Sequence, residues 1–223
     1  MDVTTAIRRR RAVRAYADTP VDDAVLDRLL SLALRAPTGS GAQAWGLVVV
    51  RDDDRRRAIA ELVMEGGARY FALMRPRREG AGDAEHAAWA RALAAERLGT
   101  YPRVPVWIVG GVEPTRDYPD ELASWGRDDD LMSLAFAFQN LMLAARAEGL
   151  GTVPTTAFWR FGEDRLRALL DIPDHVAPHL VTPLGYPEGG FPTGTAPAMT
   201  ATYRRWRSLV HDETFGARRE DPS

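Results

Sequence analysis

Residues Leu131 to Glu148 leave a folding chain few options. Leu131, Met132, Leu134, Phe136, Phe138, Leu141, Met142 and Leu143 give the first half of this helical stretch almost no polar face. A helix that is apolar all round must be covered all round, by the protein's own core or by a second subunit. Gly149 stands where a C′ glycine would end it. The other constraint is Pro105 to Val112, P-V-W-I-V-G-G-V. It is apolar without alternation, which predicts a central strand buried on both faces.

Around these two elements the periodicity changes repeatedly. The segment from Tyr16 to Val21 reads as a turn, and Asp22 is placed to cap a helix from about Asp23 to Ala36. A strand is expected over Gly46 to Arg51. A helix is expected over Arg55 to Met64, with Asp53 or Asp54 as its cap. Glu65 to Arg103 differs in character, being rich in Ala, Gly and Arg and short of branched aliphatics. It reads as a helical lid insertion, with a helix over Ala84 to Leu98 capped by Asp83. Tyr70, Phe71 and Trp89 are its candidate pocket aromatics. Glu113 to Asp130 reads as a polar loop containing Trp125. Leu150 to Trp159 reads as a short strand broken by Pro154. A helix follows over Glu163 to Leu170, capped near Gly162, and a last strand lies within Val176 to Tyr186. No internal repeat or domain boundary is evident, so residues 1–223 are expected to form a single domain. Its tail, 191–223, has too few aliphatics for a core of its own and is expected to extend over another surface as a C-terminal arm.

Composition excludes several kinds of chemistry. All 29 basic residues are Arg, there is no Cys, and only four His occur. Without Lys there is no Schiff base and no Walker A lysine; without Cys there is no thiolate nucleophile or thiolate metal site. His175 and His179 are spaced i, i+4, but Pro173 and Pro178 break any helix that would align them, so no metal site is expected. A net charge of −2 speaks against a nucleic-acid partner. No apolar run reaches the roughly 20 residues of a membrane span and no signal core opens the chain. A cytoplasmic protein is expected, and the Arg-only basic set suggests a GC-rich bacterial genome.

Two clusters are candidates for function. Ile7 to Arg14, I-R-R-R-R-A-V-R, concentrates guanidinium groups suited to phosphate and carbonyl oxygens. Arg35 to Trp45, R-A-P-T-G-S-G-A-Q-A-W, joins a helix to a strand through small residues. Its hydroxyls (Thr38, Ser40), free N–H groups and unobstructed glycines (Gly39, Gly41) suit close approach by a ligand, and the Gln43 amide suits a heteroaromatic edge.

The order of the motifs resembles the nitroreductase-like flavoprotein family. Arg10-Arg11-Ala12-Val13-Arg14 is similar to that family's R-R-S-x-R start, and A-P-T-G-S-G-A-Q-A-W to A-P-S-x-x-N-x-Q-P-W. Gln139-Asn140-Leu141, Gly149-Leu150-Gly151-Thr152 and Leu184-Gly185-Tyr186-Pro187 follow in order. The likeness covers most of the chain apart from Glu65 to Arg103 and the extreme C-terminus. Ala12, Gly41 and Ala44 depart from the pattern, standing where the family has Ser, Asn and Pro.

The resemblance implies an α+β fold: a mostly antiparallel central sheet flanked by helices. It also implies an intertwined homodimer with flavin mononucleotide (FMN) at the interface and a C-terminal segment crossing to the partner. By the same resemblance Arg10 would bind the FMN phosphate, and Arg14 would lie near the flavin pyrimidine carbonyl, with Arg11 and Ala12 between them offering backbone. Pro37, Thr38, Gly39 and Ser40 would contact the flavin from the second subunit. Pro154, Thr155, Thr156 and Ala157 match the segment whose backbone N–H reaches flavin N5. Arg204, or Arg205, matches a C-terminal phosphate ligand. Tyr70, Phe71, Trp125 and Phe158 are the candidate substrate aromatics, and Trp159 is a further one. The implied activity is hydride transfer from NADPH or NADH through flavin N5 to a nitroaromatic, quinone or related electron-poor acceptor, in ping-pong order, with no catalytic side chain. Alternatives within the fold are a dehalogenase, a flavin-fragmenting benzimidazole synthase or a metabolite oxidase. A non-catalytic flavin or deazaflavin binder is the alternative from another class.

Overall fold

The computed structural model describes residues 1–77, 79–193 and 209–217. Met1–Phe191 forms one compact unit and Pro192–Ser223 a second. In the second, the His211 and Phe215 rings stack at 4.4 Å, and Gly216 N–H donates to His211 Nδ1 at 2.8 Å.

The first unit is an α+β structure around a four-stranded sheet. Its strands are β1 (Trp45–Val50), β2 (Val106–Val112), β3 (Gly151–Thr152) and β4 (Ala177–Gly185), in the order β1-β2-β4-β3, and every pairing is antiparallel. The predicted central strand is β2. Every one of its residues is buried, because helices cover both faces. On one face, Ile108, Val106 and Leu184 pack against α2 (Asp23–Ala33) and α5 (Ala123–Ala147) through Leu29, Leu134, Phe138 and Leu141. On the other, Trp107, Val109 and Val181 meet Ile59, Val63, Leu98, Trp159 and Leu166 of α3 (Asp53–Met74), α4 (Asp83–Leu98) and the segment through α6 (Glu163–Leu170). Asp22 caps α2 as predicted, accepting from Ala24 N–H at 2.8 Å.

Four boundaries differ from the sequence reading. A first helix, α1 (Val3–Arg9), precedes the Arg cluster and is capped by Asp2, which accepts from Thr5 N–H at 2.9 Å. α3 runs through Glu65-Gly66-Gly67 to Met74, and its cap is Asp52 rather than Asp53 or Asp54. The two glycines look like a break, yet tertiary packing requires them there. A Cβ on Gly66 would lie 1.8 Å from Phe158 O, so the helix backbone rests directly on the Phe158 segment. α4 starts at Asp83, with Gly82 in the cap position and no side-chain cap bond.

The fourth difference is that α5 begins at Ala123, which places Trp125 in a helix rather than a polar loop. Asp130 is buried there because Tyr118 O–H donates to it at 3.2 Å, and Gly126 leaves room for the Tyr118 ring. α5 ends at Glu148 and Gly149 as expected. Its outward face keeps Leu131, Met132 and Phe136 exposed, beside Leu32 and Leu34 at the end of α2.

Candidate functional site

The Arg cluster starts where α1 stops. Arg10 is the C-cap, and the chain leaves it extended. Arg11 turns back, its Nη1 donating to the carbonyls of Arg8 and Arg10 at 2.9 Å, so this guanidinium caps the helix end. From Ala12 the chain lies alongside β3. Ala12 bridges Thr152 in parallel, and Val13 N–H donates to Thr152 O at 3.1 Å. This approach depends on Gly151, where a Cβ would meet the Val13 side chain at 2.6 Å. Two motifs more than a hundred residues apart in sequence therefore meet at one place.

Arg14 follows, half-buried, with its carbonyl accepting from Thr100 Oγ1 at 3.2 Å. Its charge reaches the buried Tyr101, whose hydroxyl burial pushes up and Arg14 pulls partly back. Among the described residues no carboxylate forms an ion pair with Arg9, Arg10, Arg11 or Arg14.

The P-T-T turn continues from β3. Val153 N–H donates to the buried Thr182 hydroxyl at 3.2 Å. Thr155 exchanges backbone hydrogen bonds with Val181 at 2.8 and 3.1 Å, and Ala157 N–H points to Thr155 Oγ1 at 3.5 Å. Of the three N–H groups in this turn, Thr156's is engaged by neither arrangement. The expected strand over Leu150 to Trp159 is thus only the two-residue β3 and a bridge, since Pro154 has no N–H for a ladder.

Phe158, next along, meets the last turns of α3. Its ring lies 5.3 Å from Tyr70 and 5.7 Å from Phe71, and those two lie 6.2 Å apart. Three of the candidate aromatics form one cluster, set by the glycine notch in α3. The fourth, Trp125, is 66% exposed in the first turn of α5. Trp159 is fully buried in the core and lines no open surface. Trp89 stacks on His86 at 5.3 Å.

The turn from Pro37 to Gln43 is held elsewhere. Gly39 N–H donates to Ser133 Oγ at 3.3 Å, Gly41 N–H to Thr38 O at 3.2 Å and Ala42 N–H to Gly39 O at 3.0 Å. Thr115 and Arg116 donate to Ala42 O and Gly39 O. These N–H groups are committed, contrary to the sequence reading, because the turn closes on itself as a 3-10 turn. The hydroxyls of Thr38 and Ser40 and the exposed Gln43 remain as its other polar groups. Ser40 (φ 49°) and Gln43 (φ 50°) are left-handed, a backbone that is uncommon outside glycine.

Ser133 is in the first half of α5, while Arg146, whose Nε donates to Arg9 O at 3.1 Å, is in its last turn. Thirteen helical residues separate these anchors, about 20 Å. Within one chain, the small-residue turn is therefore anchored near the middle of α5 and the Arg segment at its last turn. Arg204 and Arg205 lie outside the described residues.

The family model described as "Nitroreductase family" matches residues 7–186, which takes in every element above except α1's first turn. The chain belongs to the nitroreductase family. Membership makes it a flavoprotein oxidoreductase by class and accounts for the antiparallel α+β fold. Within the family it is similar to an NADH dehydrogenase of Thermus thermophilus, at 29% identity over 88% of this chain and 93% of that one. It is also similar to a 5,6-dimethylbenzimidazole synthase of Rhodobacter capsulatus, at 31% identity over 67% of each. Among solved structures, iodotyrosine deiodinase bound to FMN and 3-iodo-L-tyrosine shares the fold. That match has a TM-score of 0.65 and 20% identity, covering 92% of this chain and all of that one (100%). Such relatives differ in reaction, so family membership leaves the specific activity open. No helix among the described residues is long and apolar enough to cross a membrane.

Proposed function

We propose that the protein is an FMN-dependent oxidoreductase that takes hydride from NADPH or NADH and delivers it to a nitroaromatic, quinone or related electron-poor acceptor. The observation that carries this reading is the strip from Arg10 to Arg14 lying against Thr152, with the P-T-T turn directly behind it. The donor set fits the cofactor: cations unpaired with carboxylates suit a phosphate and an electron-rich pyrimidine edge. When bound, FMN supplies the two-electron centre.

The chain's own groups do the rest. Arg10 holds the phosphate, with Arg204 or Arg205 of the C-terminal arm. Arg14 stabilises negative charge at the pyrimidine carbonyl. The Thr156 N–H is the donor available to N5. Tyr70, Phe71 and Phe158 wall the acceptor space, which the 65–103 insertion covers as a lid. The turn from Pro37 to Ser40, with Gln43, completes the site from a second copy, and Trp125 on the same half of α5 comes with it. A homodimer is supported by the separation of the two half-sites along α5 and by the exposed apolar face of Leu131, Met132 and Phe136. An arm crossing to the partner agrees with this arrangement.

The decisive test is the visible spectrum of the purified protein, followed anaerobically on adding NADPH and then NADH. A flavin band that bleaches supports the reading. Arg10→Ala with Arg14→Ala should leave the thermal transition in place and abolish FMN binding; full activity in that double variant would sink the proposal. A second reading, a substrate-specialised member of the family, is favoured by the aromatic cluster on α3. Steady NADPH turnover with simple quinones would count against it.

A further inference from the structure

The positive charge beyond α1 is larger than the R-R-R-R-A-V-R run indicates, because α5 adds a cation to it. Arg146 is half-buried. Its Nε donates to Arg9 O at 3.1 Å, and its guanidinium carbon lies 3.6 Å from the centre of the Phe191 ring. These contacts fix the plane of the group, and the hydrogen bond uses none of the donors on Nη1 and Nη2. Among the described residues no carboxylate forms an ion pair with it. Burial, and then the charges of Arg9 and Arg11, pull its pKa below the ordinary arginine value. Like charges gathered in a partly desolvated place without a counter-ion destabilise the chain unless an anion joins them.

We propose that Arg146 is a phosphate ligand of the bound flavin nucleotide, adding a cation from α5 to the Arg9–Arg11 segment at the junction of α1 and α5. The inference rests on the FMN reading. It assigns α5 two tasks: its first half anchors the small-residue turn and its last turn supplies a cation.

The test compares FMN with riboflavin, which lacks the phosphate, by titrating each into the flavin-free protein. For Arg146→Gln, FMN affinity should fall about tenfold to a hundredfold, the loss of a charge-assisted hydrogen bond, while riboflavin affinity stays within about twofold. Arg146→Lys keeps the stem and a charge, so its fall should be smaller and again confined to FMN; this variant serves if the glutamine variant does not fold. Equal losses for both flavins would make Arg146 a structural link between α1 and α5 and overturn the proposal, as would an unchanged FMN-to-riboflavin ratio. A wild-type protein that binds neither flavin would instead overturn the functional reading beneath it.

Discussion

Gly66 shows how one missing Cβ places a functional cluster. Its Cα rests against the Phe158 carbonyl, and Phe158 in turn holds Tyr70 and Phe71. Gly66→Ala forces backbone against backbone. It should cost about 1–3 kcal/mol by thermal or denaturant unfolding and displace Phe158, lowering acceptor turnover more than FMN binding. His179, on β4, gives a pH signature. Burial and then Arg160 hold its pKa down, with Glu163 opposing them. The folded chain therefore takes up this proton at lower pH than the unfolded chain does. The stability is whole above about pH 6.5, erodes as pH falls through that value, and levels off below the lowered folded pKa. His179→Gln should flatten the fall in melting temperature between about pH 7 and 5; a profile as steep as wild type would refute it. Among the departures from the family's pattern, Gly41 has φ 68°. Asn and Gly are the residues that adopt this backbone readily, so the change preserves the turn and removes only a side-chain amide.

At the level of elements, α5 organises the molecule. One face packs Leu134, Phe138 and Leu141 into the core, and the other leaves Phe136 and Met132 about half exposed, at 48% and 49%. These exposed apolar side chains support the homodimer proposed above. Phe136→Glu with Met132→Glu should convert a dimer to monomer in light scattering and lose FMN with it. A monomeric variant that still binds FMN tightly would show that the site is complete within one chain. α3 and α4 form a helical pair on the other side, tied by a hydrogen bond between His86 Nε2 and Ala72 O at 2.9 Å. That bond joins α4 to the segment carrying Tyr70 and Phe71.

For the whole molecule, the separation of half-sites makes a complementation experiment possible. One variant, Arg10→Ala with Arg14→Ala, damages the cationic half; another, Gly39→Val with Gly41→Val, damages the turn. Neither homodimer should bind FMN. Unfolding and refolding them together should restore about a quarter of the sites, because half of randomly formed dimers are mixed and each mixed dimer has one intact composite site. No recovery would mean that both halves act within one chain.

The sequence alone determined the local chemistry. Apolar run and apolar helix required the central β2 and the buried half of α5, Asp22 and Gly149 set two helix ends by capping physics, and the absence of Lys and Cys removed whole mechanisms. It also placed the Arg strip, the small-residue turn and the G-L-G-T segment in order. Tertiary structure decided what neighbours what. The helix expected to end at Met64 runs on through Gly66 and Gly67, because the Phe158 backbone and the Leu98 and Phe158 side chains fill the space their missing side chains leave. Nothing along the chain links Arg146 to the Arg cluster, and only the packing of α1 on α5 brings it to Arg9. The turn's N–H groups looked free until its closure on Ser133 and on itself. Periodicity and capping act over a few residues and can be read along the chain. Close backbone approach and charge accumulation depend on segments far apart in sequence, which only the folded chain brings together.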